Sequence, residues 1–195
     1  KTIKIPDVVF VSVAVDSKGF PWVIDRKASR LLKLGPEGQV LLKAGASGGR
    51  EGYFSHPSDA LIGKDGLIYV ADKGNNRIQV FNGEGVFLNA FSKASANQPL
   101  DAPAALAQDA SGNLYVLCAD RKVIVILSPN GAVIREIGGD LAPADRFDHP
   151  VSLAVLGSEL LVLDAGTRSV KVFTLGGRLI REFGSRGGGK GEFKN

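Results

Sequence analysis

In 195 residues the chain has no methionine, one cysteine (Cys118), one tryptophan (Trp22) and two histidines (His56 and His149). Each scarcity narrows the reading. A single cysteine cannot close an internal disulfide. Cys118 also lies in an apolar run, where a thiol is inert core more often than nucleophile. No Ser/His/Asp or Cys/His arrangement can be assembled from the residues present. Trp22 also sits in an apolar run, and packing explains it better than a ligand platform does. No apolar stretch approaches the ~18 residues that cross a bilayer as a helix, so membrane insertion is not expected. No segment carries a helical hydrophobic period, and no signal peptide is legible. A chain that starts at Lys1 without any methionine is expected to have been processed or cut from something longer. That leaves compartment and oligomeric state open.

Glycine, by contrast, is plentiful at 25 residues, most of them between short apolar runs. This is the pattern of an all-β chain with many tight turns. The composition, 44% hydrophobic and 23% charged, is that of an ordinary globular protein with a substantial core. A net charge of +4 permits an anionic partner without demanding one.

The chain repeats itself. Pro57, Pro103 and Pro150 are 46 and 47 residues apart, and Tyr69 and Tyr115 are 46 apart. Phe81 and Phe173 are 92 apart, twice that period, and Gly38, Gly85, Gly131 and Gly177 follow at 47, 46 and 46. Each period holds four β-type runs separated by turn signals. In the second they are about Asp59–Ile62, Leu67–Ala71, Arg77–Phe81 and Val86–Phe91. Four antiparallel strands every ~45 residues predict β-propeller blades, with both faces of each sheet covered by neighbours. The blades are placed at about 6–56, 57–102, 103–149 and 150–195.

The second unit carries Phe54, Pro57, Asp65, Gly66, Tyr69, Val70, Ala71, Asp72, Gly74, Asn75, Asn76, Arg77, Ile78, Val80, Phe81 and Gly85. In that order these residues resemble the NHL repeat. The other units match in part. The third has Cys118 and Val123 at the Asp and Arg positions, the fourth keeps Asp164 but has Ser169 for the Arg, and the first keeps Asp25 and Arg30 but has Phe10 for the Pro. The resemblance implies a propeller that closes with about six blades, so four blades are expected to be part of a longer ring, truncated at the C-terminus. Phe193 falls where Phe54, Leu100 and Phe147 precede the blade prolines, and the chain stops at Asn195, one residue before the next expected Pro.

Three features invite chemistry. Asp25, Asp72 and Asp164 recur at the end of the second strand. A ring of carboxylates could hold a metal, but hydrogen bonds to the following turn or to Arg30 and Arg77 explain them better. His56 and His149 occupy one repeat position, just before a Pro. The NHL family includes a zinc-dependent amidating lyase, and that branch implies His just after the blade Pro; Ser58, Ala104 and Val151 stand there instead. The stretch from Gly184 to Gly191 imitates a phosphate loop. Gly191 replaces the hydroxyl residue and no helix is expected to follow, so it reads as a connection between blades. No cofactor and no metal-ligand set is expected.

In a propeller the strand 2–3 turns and the between-blade loops emerge on one face. That face is expected to collect Arg26, Lys27, Lys73, Asn75, Asn76, Arg121, Lys122 and Arg168 from turns, and Arg50, Lys93, Arg146, Arg186 and Lys190 from loops. Glu51, Asp101, Asp120, Asp140, Asp145 and Asp148 share it. The expectation is a non-catalytic scaffold that shows this face to a partner, a protein first. A metal-dependent lyase or hydrolase with a site in a central channel is the alternative. Single-stranded RNA held by the basic loops is the third reading, weakened because few exposed aromatics are expected for base stacking.

Overall fold

A computed structural model describes residues 7–95, 98–139, 141–142, 145–185, 187, 189 and 191–192. It contains four four-stranded antiparallel sheets, each with its strands in sequence order. The first is β1 (Phe10–Val15), β2 (Pro21–Asp25), β3 (Arg30–Leu34) and β4 (Val40–Ala44). The second is β5 (Pro57–Ile62), β6 (Ile68–Asp72), β7 (Arg77–Phe81) and β8 (Phe87–Phe91). Two short extended pieces follow, β9 (Lys93–Ser95) and β10 (Gln98–Pro99). The third sheet is β11 (Pro103–Gln108), β12 (Leu114–Cys118), β13 (Val123–Leu127) and β14 (Val133–Ile137), and the fourth β15 (Pro150–Leu156), β16 (Glu159–Asp164), β17 (Ser169–Thr174) and β18 (Leu179–Phe183). These are four propeller blades. Among the described residues the one helical element is a single 3-10 turn, Lys73–Asn75. No helix is long and apolar enough to cross a membrane.

The blade prolines begin their strands rather than preceding them. Pro57 pairs with Asp72 and Pro150 with Asp164, and the register then slips at Ser58 and Val151. A proline is tolerated at a strand's first residue because the missing N–H is not needed there. Phe193 and Asn195 lie outside the described residues, as do Arg186, Lys190 and Asp140.

The chain divides into two compact units, Lys1–Lys93 with Asn97–Pro103 and Ala94–Ala96 with Ala104–Asn195. Each unit has its own core between two blades. In the first, Trp22, Ile24 and Leu31 of blade one meet Ala60, Ile68, Val70 and Phe81 of blade two. In the second, Tyr115, Leu117, Ile124 and Ile126 of blade three meet Leu153, Leu160, Val162 and Phe173 of blade four. Successive strand residues point to opposite faces, so the uninterrupted apolar run of β13 serves both of them; all five of its residues are buried. The aromatic three residues before the blade proline closes each core. The Phe54 and Phe81 rings lie 5.4 Å apart, and Phe147 meets Phe173 edge-on at 5.5 Å.

At one end of the blades an aspartate organises the strand 1–2 turn. Asp16 accepts hydrogen bonds from the backbone N–H groups of Lys18 and Phe20 and from the Trp22 indole. Asp109 does the same for Ser111 and Asn113, and its second oxygen accepts the Tyr115 hydroxyl. Asp65 accepts the Tyr69 hydroxyl at 2.8 Å. Burial, followed by the Asp109 carboxylate, pushes the Tyr115 phenol up to about 12; burial and Asp65 act in the same direction on Tyr69. Both hydroxyls therefore stay protonated and can donate.

Candidate functional site

At the other end of each blade, the strand 2–3 turn and the loop that enters strand 1 are built around the repeated carboxylates. Asp72 is fully buried at the end of β6. Its Oδ1 accepts the Ser55 N–H at 2.7 Å. Its Oδ2 accepts Asn75 Nδ2 at 2.8 Å, Arg77 Nε at 2.8 Å and Gln79 Nε2 at 2.9 Å. A bare buried carboxylate would be costly, and four donors offset that cost. The donors fix more than the turn. Arg77 also donates to the carbonyls of Arg50 and Tyr53, Gln79 to Tyr53, and Asn75 to Gly48. The whole between-blade loop 45–56 therefore hangs on one buried acid. Gly45 completes it: its φ is +81°, and a Cβ there would lie 2.3 Å from the Phe54 ring.

Blades one and four use the same position with other donors. Asp25 takes Arg30 Nε at 2.8 Å and the backbone N–H groups of Val9 and Ala28. Asp164 takes backbone donors from Asp148, His149, Gly166 and Thr167, and Ser169 stands where the arginine would be. Blade four instead carries a buried Lys171 at the Gln79 position, 3.7 Å from Glu182. Blade three has Cys118, fully buried, at this position instead of a carboxylate. The structural reading of the repeated aspartates thus holds in geometry. The sequence pointed to the following turn and to the arginine; it missed the preceding loop. The signal for that loop was the joint presence of Asp72, Arg77 and Gln79 in one unit.

The candidate binding residues divide into two groups. Asn75 is committed to Gly48 and Asp72, and Asn76, in a left-handed conformation (φ 53°), accepts the Ala102 N–H at 2.9 Å. Arg121 Nη2 meets Glu136 Oε2 at 2.9 Å. Arg26, Lys27 and Lys122 are exposed. Lys27 lies 3.2 Å from Asp7, and Lys122 lies 3.6 Å from Asp148. Lys73 and Arg168 are half-buried at their turns. Such exposed pairs are weak and leave the cations accessible to a ligand. His56 Nδ1 lies 3.2 Å from its neighbour Ser55 Oγ, and the His149 carbonyl accepts the Ala165 N–H. Among the described residues no three His, Cys, Asp or Glu side chains gather as metal ligands would.

The NHL-repeat family model matches residues 54–81, which span the end of that loop, strands β5 to β7 and Asp72 with its Asn75, Arg77 and Gln79 donors. The chain carries an NHL repeat within its propeller blades. Mouse NHL repeat-containing protein 3 is 25% identical over 176 residues, 87% of this chain and 48% of its own length. Drosophila Protein brain tumor is 27% identical over 146 residues, 73% of this chain and 14% of its own length. The chain thus spans about half the length of one relative and a much smaller part of the other. Among solved structures, a streptogramin B lyase superposes with a TM-score of 0.72 at 20% identity, covering 93% of this chain and 56% of that one. U3-55K superposes with a TM-score of 0.76 at 16% identity, covering 96% and 55%. At these identities the two structures share this chain's fold, and the likeness extends no further.

Proposed function

We propose that the chain is a non-catalytic scaffold that binds a protein partner through the strand 2–3 turns and the between-blade loops. One observation carries this reading: the loop-holding residues and the cations of the strand 2–3 turn sit at the same end of a blade. Buried Asp72 and its donors set the backbone of loop 45–56, while Lys73 extends from the adjoining turn. Loops held this way lose little entropy when a partner docks, so surface charge can act as recognition. Arg26, Lys27 and Lys73 supply that charge within the first unit and Lys122 within the second, which suits a partner with an acidic surface.

The test is quantitative affinity capture with the intact protein and two charge-reversed variants. Arg26→Glu with Lys73→Glu alters the proposed face, and Lys18→Glu alters the turn at the other end of blade one. The proposal expects the first variant to lose the captured protein and the second to keep it. Equal capture by all three would overturn it. Capture that depends on RNA and falls steeply with salt would replace the protein partner with a nucleic acid.

A further inference from the structure

Within the second unit, the strand 2–3 turn of blade three and the chain leaving β14 border an open cleft of about 250 Å³. Arg121, Lys122 and Arg146 line it, with Gly138 and Gly139 on one side and the buried Phe147 on another. Among the described residues no acidic side chain lines it. Two acids stand nearby: Glu136 holds Arg121 through Nη2, and Asp148 lies 3.6 Å from Lys122. Arg146 donates through Nε to the Leu141 carbonyl, which leaves its terminal nitrogens free of that bond. Arg121 Nη1 is buried and has no hydrogen-bond partner among the described residues, and Glu136 Oε1 is in the same state. Both atoms belong to the Arg121–Glu136 pair and are shut off from solvent, so Arg121 brings charge to the cleft rather than a free donor.

The cleft depends on one glycine. Gly138 has φ +128°, and a Cβ there would lie 2.6 Å from the Lys122 carbonyl and 3.1 Å from Val123 Cα. Only glycine lets the chain leaving β14 come this close to the 119–122 turn. The cleft is therefore a consequence of the backbone as well as of its cations.

We propose that this cleft binds a phosphomonoester carried on a serine or threonine of the partner protein. The inference rests on the loop-face reading above and names the group that one part of that face accepts. A phosphomonoester brings close to two negative charges and three acceptor oxygens. Three cations, two of them guanidiniums, match that demand better than they match a carboxylate. The cleft suits a single head group. Its one aromatic, Phe147, is only 4% exposed and offers no platform on which a nucleic-acid base could stack.

The experiment is ligand-observed phosphorus NMR on the intact protein, with phenyl phosphate as the probe and benzoate as a competing carboxylate. Inorganic phosphate and a phosphoserine peptide, each against its own control, separate a free anion from a protein-borne one. The proposal expects saturable broadening with phenyl phosphate and tighter binding of the phosphoserine peptide than of inorganic phosphate. It expects affinity to fall at least tenfold in Lys122→Gln/Arg146→Gln, which leaves the Arg121–Glu136 pair in place. Lys18→Gln should bind as the parent does, and circular dichroism should show all variants folded. Absence of saturable binding, equal competition by benzoate, preference for inorganic phosphate, or unchanged binding in the folded double variant would each overturn it. If the probe does not bind while the capture experiment still depends on Arg26 and Lys73, the phosphate inference fails and the loop-face reading stands.

Discussion

Blades two and three have the same strand order, and their second and third strands pair in the same register, Asp72 opposite Arg77 and Cys118 opposite Val123. They also share the turn that follows: Asn76 and Lys122 are both left-handed, at φ 53° and 56°. They differ in what lies beneath. Blade two buries Asp72 with Arg77 and Gln79 around it; blade three buries Cys118, Val123 and Val125 at the same three positions. The turn keeps its shape without the carboxylate, so the turn is not what the carboxylate is for. What blade two has in addition is loop 45–56, tied to Asp72, Arg77, Gln79 and Asn75. The three positions change together because a charge left in the pocket without its donors would be worse than either arrangement.

The largest effect expected from crossing the two blades is that of Cys118→Asp. It would bury a carboxylate beside Val123 and Val125, neither of which can donate. A cost of about 5 kcal/mol is expected, at the upper end for an uncompensated buried charge. Denaturant unfolding would show it as a lower midpoint with an unchanged slope. The triple variant Cys118→Asp, Val123→Arg, Val125→Gln should recover at least half of the loss. Failure to recover would mean that the polar network needs its loop as well as its side chains.

Asp72→Ala is the reverse experiment. It strands Arg77, Gln79 and Asn75, but Arg77 keeps the carbonyls of Arg50 and Tyr53. The expected cost is therefore about 3 kcal/mol, at the lower end for breaking a buried pair. Hydrogen exchange separates loop from turn: the Ser55 amide should lose its protection, while Asn76, bonded to the Lys73 carbonyl, should keep most of its own. If both amides open together, the carboxylate holds the turn after all.

How much of this the sequence disclosed follows from what repeats. The blades were legible because glycines, prolines and aromatics recur at 46 or 47 residues, and each recurrence has a local cause in a turn, a strand start or a core plug. Pro57 and Phe54 show this directly. The loop attachments were not legible, because Ser55, Tyr53 and Gly48 use backbone atoms that any residue would present. Gln79 was passed over because its position in a strand looks apolar by alternation; only the carboxylate opposite explains an amide there. The cleft of blade three was also hidden, since Arg121 and Arg146 are 25 residues apart and Gly138 reads as an ordinary turn glycine.

Gly45→Ala should sharpen the comparison from the loop side. The added Cβ meets the Phe54 ring at 2.3 Å and carries an unfavourable φ. A cost of about 2 kcal/mol is expected, within the usual range for overpacking plus backbone strain. The corresponding glycine of blade three, Gly138, faces backbone rather than a ring. Gly138→Ala should therefore be tolerated less well, because a side chain can shift where a carbonyl cannot. Thermal unfolding of the two variants gives the ranking, and equal losses would remove the distinction.

The smallest effect belongs to the opposite end of blade one, where an aspartate organises a turn and not a loop. Asp16 is partly shielded from water, which by itself would raise its pKa. Lys33 Nζ at 2.9 Å, the backbone N–H groups of Phe20 and Lys18, and the Trp22 indole outweigh this and bring it to about 2. Lys33 is held in turn over the Phe20 and Trp22 rings, at 4.9 and 5.1 Å. A carboxyl whose pKa is lower in the folded chain stabilises the fold above its unfolded value, near 3.8, and loses that contribution as the pH falls through about 2. Unfolding midpoints should therefore drop between about pH 4 and pH 2, and Asp16→Asn should flatten part of that slope by lowering the midpoint at neutral pH while changing little near pH 2. An unchanged acid slope in Asp16→Asn would overturn the assignment of that slope to the Asp16 turn.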